Sequence, residues 1–400
     1  MVQPTDLVVI AGDSITEQKQ YSVLMEDYIL MCSPVQQARV VQFGWSGDTA
    51  SGFVNRQIPS LKLYKPQVVT TLFGMNDGRY SPLSDSVAKR YRTAMTTIAR
   101  ELKADGVRTI ILGTPGAVGS DELKKPNATP EQYNETLRQL GEIAREVAQA
   151  EDVSFVDVHS LMMDIQQKAK EKFGSKYHLC GPDGIHPSAN GHLVMAYAFL
   201  KAMGFDGDIG TITVDMASGD VQATQGHQIL GVKDGAINVR STRYPFCFYG
   251  EPDSPNSAKG ILEFLPFNEE LNRYMLVVKN APSANVKVTW GEQSKIFSAD
   301  ELSKGVNLAA AFLDENPFSD AFLRVNKAVR AQQDYETVAV KVLLQSFVEF
   351  GKQLPDLAKT EAAAFKRLGD AVLQRSEQLC QESAAMVQPV EHTILLEPVR

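Results

Sequence analysis

Leu7-Val8-Val9-Ile10-Ala11-Gly12-Asp13-Ser14-Ile15-Thr16-Glu17 is the stretch on which the reading of this chain turns. Its first five residues form a short, unbroken apolar run, the pattern of a parallel strand covered on both faces. Gly12 and Asp13 end the run, so Ser14 falls at the carboxyl end of the strand, where open α/β sheets place their ligand crevices. A hydroxyl in that position becomes a nucleophile only if a base and a set of oxyanion donors converge on it.

Working outward, further strands are predicted at residues 40–43, 67–73, 109–113 and 153–158, separated by helical stretches at 21–32, 86–105, 130–150 and 189–203. Thr129 as N-cap with Pro130 in the first helical position marks the start of the third helix. Strands alternating with helices of this length imply parallel βαβ units, so residues 1–205 are expected to form a three-layer α/β/α sandwich around a parallel sheet. After Gly204 the character changes. Residues 206–298 carry short alternating runs at 211–216, 236–240, 261–265, 274–278 and 286–290, broken by turn signals at 218–220, 234–235 and 251–256, and predict a small antiparallel β module. Residues 299–400 read as a helical region with a terminal strand. Two long helices at 321–350 and 357–386, separated by Pro355, predict an antiparallel hairpin, and residues 391–398 predict a strand returning to the β module.

The chain has 400 residues, enough for two or three domains, with 44% hydrophobic and 22% charged residues. Its net charge of −8 argues against nucleic acid as a partner, and no apolar stretch approaches the ~20 residues of a membrane span. The first residues run directly into a strand without a basic segment and apolar core. The compartment therefore stays open: secreted or periplasmic if a leader has been removed, cytoplasmic otherwise. Cys32, Cys180, Cys247 and Cys380 are scattered with no C-x-x-C pair, the pattern of free thiols rather than a zinc site. His159, His178 and His192 lack further ligands at metal-binding spacing, so no metal is expected.

Three more segments bear on Ser14. Gly44-Trp45-Ser46-Gly47-Asp48-Thr49 follows the second strand, and a glycine there lets backbone N–H groups face the crevice. Gly74-Met75-Asn76-Asp77-Gly78 follows the third strand, and the Asn76 amide is a candidate oxyanion donor, while Asp77 reads as a loop cap. Asp183-Gly184-Ile185-His186 precedes the last helix of the α/β region. Its spacing lets a carboxylate fix the imidazole tautomer within one turn.

Taken together and in this order, these four blocks resemble those of the SGNH hydrolase superfamily, the GDSL-type esterases and acylhydrolases, over roughly the first 205 residues. The resemblance implies Ser14 as nucleophile, His186 as general base and then acid, and Asp183 as the orienting carboxylate. It further implies an oxyanion hole from the N–H groups of Ser14 and Gly47 and the Asn76 side chain, with no cofactor. Trp45, Arg79 and Tyr80 follow block glycines at strand ends and are candidates for lining the crevice mouth. A β-rich module behind such a domain resembles carbohydrate esterases, which points to O-deacetylation of a carbohydrate. The alternatives are a lysophospholipase or thioesterase acting on a lipid-like ester, and a non-catalytic carbohydrate-binding scaffold. The segment 243–250 and Trp290 are aromatic enough for a sugar platform, although burial in the core is the commoner use of such a pattern. The C-terminal helices are expected to cover the β module or to mediate a homo-oligomer contact, with coverage of the active site as a further option.

Overall fold

A computed structural model describes residues 1–399 except 120–122, 124, 126, 252 and 253. The opening apolar run is β1 (Leu7–Gly12), buried throughout, and the chain passes at once into the short helix α1 (Ser14–Glu17). There follow α2 (Tyr21–Asp27, continued by a π-helical turn Tyr28–Cys32), β2 (Arg39–Gly44), α3 (Ala50–Arg56), α4 (Ile58–Tyr64), β3 (Val68–Leu72) and α5 (Asp85–Ala104). The unit is completed by β4 (Thr109–Gly113), α6 (Pro130–Ala150), β5 (Ser154–Val156), α7 (Val158–Phe173) and α8 (Ala189–Ala202).

The five strands form one parallel sheet in the order β2-β1-β3-β4-β5. Period-two alternation divides its apolar side chains between two cores. Val8, Ile10, Val68 and Ile111 face one helix layer, and Leu7, Val9, Val69 and Leu112 face the other. This is the α/β/α sandwich anticipated from the strand–helix alternation. The expected start of α6 also holds. Thr129 accepts from the Gln132 amide, the Gln132 side chain accepts from the Thr129 amide, and Pro130 occupies the first turn. Because β2 and β3 flank β1 on opposite sides, the chain reverses direction beside β1, and a crevice opens there above the carboxyl ends of the strands.

Beyond Gly204 lie two further sheets. The strands are β6 (Asp208–Asp215), β7 (Val221–Ala223), β8 (His227–Lys233), β9 (Ala236–Ser241), β10 (Arg273–Lys279), β11 (Asn285–Trp290), β12 (Gln293–Ser298), β13 (Val306–Asn307) and β14 (Val390–Val399). One sheet has the order β13-β10-β6-β7 and the other β12-β11-β14-β9-β8. Pairing is antiparallel except between β6 and β10, which run parallel with a long crossover between them. Short helices α9 (Phe267–Glu270), α10 (Ala299–Lys304) and α11 (Leu308–Ala311) punctuate this region.

The long helices follow as α12 (Ser319–Val338), a π-helical stretch Ala339–Leu344, α13 (Gln345–Gln353), α14 (Pro355–Thr360) and α15 (Ala362–Ala385). α12 and α15 pack on each other as the expected hairpin. They lie against the α/β unit, along its edge strand β2. The Gln42 amide donates to Glu336 Oε2 at 2.7 Å, and Gln332 Nε2 donates to the Val40 carbonyl at 3.1 Å. A buried backbone group left unpaired costs about 1–3 kcal/mol, so two side chains of α12 stand in for a neighbouring strand. Gln332 and Gln333 also donate to the buried Glu26 of α2, each at 2.7 Å.

Several expectations need correction. Residues 261–265 form turns rather than a strand. The amides of Phe264 and Leu265 return to the Ile261 carbonyl, and the buried pair Ile261/Leu265 fits this coil as well as it fits a pleat. The segment 243–250 goes into the core, the commoner use of its pattern, but not as a strand: Tyr244 and Phe246 are buried, and their amides donate to the Met31 carbonyl and to Asn272 Oδ1. Trp290 is likewise fully buried. Of the turn expected at 251–256, Pro252 and Asp253 lie outside the described residues.

Candidate active site

Each strand end beside the crevice delivers one of the anticipated groups. Asp13 caps α1 by accepting from the Ile15 amide at 3.0 Å, which fixes the sharp passage from β1 and sets Ser14 as the first helical residue. Ser14 Oγ lies 2.8 Å from His186 Nε2, and His186 Nδ1 lies 2.5 Å from Asp183 Oδ2. Asp183 Oδ1 also accepts from the amides of Ile185 and His186, both at 2.9 Å, so the carboxylate holds its own turn together. Partial burial works against its charge. The hydrogen bonds from the His186 ring and from these amides outweigh that and hold the carboxyl below the usual carboxylate range. An ionised carboxylate can only accept, which assigns the His186 proton to Nδ1 and leaves Nε2 to accept from the Ser14 hydroxyl.

Gly47 has φ +74, a conformation that favours glycine, and nothing lies within 4 Å of where a Cβ would sit. Gly44 answers a different need. A Cβ there would fall 2.2 Å from the Glu17 nitrogen, so only glycine lets the end of β2 approach α1 this closely. Asn76 Nδ2 donates to the Asp48 carbonyl at 2.9 Å, which pins the amide at the crevice floor. Ser14, Gly47, Asn76, Asp183 and His186 all line one cleft of about 810 Å³, together with Ser46, Tyr80, Lys125, Pro182 and Ile185.

The three candidates for the crevice mouth separate. Tyr80 lines the cleft, stacked on Tyr133 with ring centroids 4.8 Å apart and with Lys125 Nζ 4.3 Å from its other face. Arg79 is exposed and is not among the lining residues. It and Tyr80 both adopt left-handed backbone, at φ 56 and 52, so the turn sends the two side chains different ways. Trp45 does not line the cleft either. Two cations lie against it, the Arg56 guanidinium 5.4 Å and Lys341 Nζ 5.3 Å from its ring centroid.

Three carboxyls beneath the crevice were not read together from the sequence. Burial, reinforced by repulsion from the neighbouring carboxyls, pushes Asp13 and Asp77 up to about 7, and burial alone raises Asp48 against the pull of Gln57 and Arg56. Asp77 is not a cap of its own following loop: it accepts from the Ala50 amide at 3.1 Å, at the start of α3, whose N-cap is Thr49. Among the described residues no cluster of His, Cys, Asp and Glu is arranged to hold a metal ion, and no helix is long and apolar enough to cross a membrane. All four cysteines are buried.

Residues 10–194 match the GDSL-like lipase/acylhydrolase family. The chain carries an SGNH hydrolase domain. An acetylxylan esterase of Geobacillus stearothermophilus is 27% identical over 217 residues, spanning 49% of this chain and 92% of that protein. The solved structure of a gut microbial diltiazem-metabolizing enzyme superimposes with a TM-score of 0.72 at 23% identity, covering 100% of this chain and 99% of that one. The α/β sandwich, the two additional sheets and the C-terminal helices thus recur as one fold. The chain is a serine carboxylic-ester hydrolase.

Proposed function

We propose that this hydrolase removes short acyl groups, acetyl above all, from a carbohydrate ester, with Ser14, His186 and Asp183 as its catalytic triad. The observation that carries the reading is the unbroken path Ser14 Oγ–His186 Nε2 (2.8 Å) and His186 Nδ1–Asp183 Oδ2 (2.5 Å), opening on a cleft shared with Gly47 and Asn76. His186 takes the Ser14 proton as Oγ attacks the ester carbonyl. The tetrahedral oxyanion accepts hydrogen bonds from the Ser14 and Gly47 amides and from Asn76 Nδ2. As the C–O bond to the sugar breaks, His186 protonates the departing sugar oxygen, releasing the hydroxyl and leaving an acyl-serine. Water, deprotonated by the same ring, attacks the acyl carbonyl, and collapse of the second tetrahedral species returns the proton to Ser14 and frees the acid.

The chemistry of the lining favours a hydroxylated substrate with a small acyl group. Ser14, Ser46, Asn76, Lys125, Asp183 and His186 offer hydrogen-bonding groups to a hydroxylated substrate, beside the apolar surfaces of Tyr80, Pro182 and Ile185. The likeness to an acetylxylan esterase points the same way. The test is acid release from acetylated oligosaccharides and from acetyl to decanoyl nitrophenyl esters, by the parent chain and Ser14→Ala. Serine-dependent acetate release from the sugars is expected. Turnover confined to esters of eight or more carbons would refute the carbohydrate assignment, and unchanged turnover in Ser14→Ala would refute the triad.

A further inference from the structure

We propose that Lys341, on the C-terminal helix, is a positioning residue for acyl transfer, acting through Glu17 on the loop that presents the Gly47 amide. The proposal rests on the functional reading above, since it concerns the oxyanion side of the same site.

The geometry is a relay between parts of the chain 324 residues apart. Lys341 Nζ donates to Glu17 Oε1 at 2.7 Å, and the other oxygen of that carboxylate accepts from the Ser46 amide. Ser46 immediately precedes Gly47, whose φ of +74 and open surroundings leave it with little restraint of its own. Burial works against ionisation of Glu17, but the hydrogen bonds from Lys341 and Ser46 outweigh it and hold the carboxyl below its usual range. The charged form, able to accept from both partners, is thereby maintained.

The same lysine lies against Trp45, as does Arg56, and Arg56 pairs with the buried Asp48. The Asp48 carbonyl in turn receives the Asn76 amide at 2.9 Å. Both ends of the 45–49 loop are therefore tied: one through Glu17 to Lys341, the other through Asp48 to Arg56. The nucleophile helix is held from the same side, because Lys19 pairs with Asp334 at 3.2 Å and Arg330 donates to the Lys19 carbonyl at 3.4 Å.

Lys341 belongs to the π-helical stretch Ala339–Leu344. Such widened turns occur mostly as short interruptions, frequently at functional sites. Without the lysine, Glu17 would place an uncompensated negative charge beside the position where the oxyanion forms, and the Ser46–Gly47 peptide would lose its anchor. Either consequence falls on the transition state more than on the bound ester, so kcat is the constant that moves.

The experiment compares the full-length parent, Lys341→Met, Lys341→Arg, Glu17→Gln and the Glu17→Gln/Lys341→Met double variant, using nitrophenyl acetate and thermal melting. Lys341→Met should lower kcat roughly tenfold or more, since sub-ångström misplacement of catalytic groups has effects of this order. KM and the melting temperature should change little. Lys341→Arg, which keeps charge and donor, should recover most of the loss. The double variant should be no slower than the worse single variant, because the lysine acts through the carboxylate.

Unchanged kcat in Lys341→Met, or additive losses in the double variant, would overturn the relay while Ser14→Ala remained inactive. An active Ser14→Ala would instead remove the functional reading beneath it. Should Lys341→Met fail to fold, Glu17→Gln poses the question from the other end, and unchanged kcat there overturns the proposal equally.

Discussion

Acidification should loosen the β-rich half through one buried chain of hydrogen bonds. Trp290 Nε1–H can only donate, and its acceptor is His392 Nδ1 at 3.1 Å. The proton of that ring must then sit on Nε2, which donates to Ser241 Oγ at 3.0 Å. At the other end, His227 Nε2 lies 2.9 Å from the Ile209 carbonyl, which can only accept. His227 Nδ1 is therefore free to accept from the Ser241 hydroxyl at 2.8 Å. Each polar group in this run is satisfied with both rings neutral, and a further proton on His392 Nδ1 sets donor against the fixed Trp290 donor.

Burial pushes His392 down to about 3 and His227 below its usual value. As pH falls below 6.5 the unfolded chain takes up a proton at position 392 before the folded one does. This contribution to stability is therefore complete above about pH 6.5 and is lost as pH falls toward 3. At pH 4.5 the unfolded ring is about two units past its pKa while the folded ring is still neutral. At ~1.4 kcal/mol per unit, His392 alone should account for about 3 kcal/mol of lost stability. The assay is urea unfolding at pH 7 and pH 4.5, followed by Trp290 fluorescence in a Trp45→Phe background, with and without His392→Gln. The variant should be less stable at pH 7, yet lose about 3 kcal/mol less on acidification than its parent. An equal loss in both would refute the neutral-ring argument.

Two further outcomes follow from the site and the sheet edge. Asn76→Ala should lower kcat by roughly 100- to 1000-fold with little change in KM, measured on an acetyl ester, as expected for loss of one oxyanion donor. Glu336→Ala leaves the Gln42 amide without its acceptor and should cost about 1–3 kcal/mol by urea unfolding at pH 5.5. Glu336→Gln keeps an acceptor in place. Burial raises the Glu336 carboxyl above its unfolded value, so its stabilisation is present at low pH and is lost as pH rises through the folded pKa. The stability gap between the Gln variant and the parent should therefore shift in favour of the variant from pH 5.5 to pH 8.

What the sequence made legible is what it encodes locally. The strand-end segments around Ser14, Gly47 and Asn76 each need only a few neighbours to be understood, and the Asp183–His186 pair closes within a single turn. Lys341 gave no such signal. It sits in a charged helical stretch, and its partners at Glu17 and Trp45 meet it only through tertiary packing. The chain from His227 to His392 was hidden for the same reason, since its members lie on separate strands and none has a telling neighbour. The run 261–265 misled because two apolar residues four apart serve a turn or a strand alike. Trp45 misled because its position at a strand end said nothing of the two cations packed against its ring.

The helical hairpin is an excursion between strands of two sheets, since the chain enters it through α11 after β13, of the four-stranded sheet, and returns into β14, which lies between β11 and β9 of the other. Its outgoing leg is fastened to β2 and α1, and its returning leg continues into the middle of that sheet, where β14 pairs on both sides. Each leg thus keeps its own foothold without help from the other. A cut in the backbone at the exposed tip, around residues 354–361, would leave two fragments that still complement each other. The same place is where the chain would accept new termini or a foreign segment with least disturbance to the crevice.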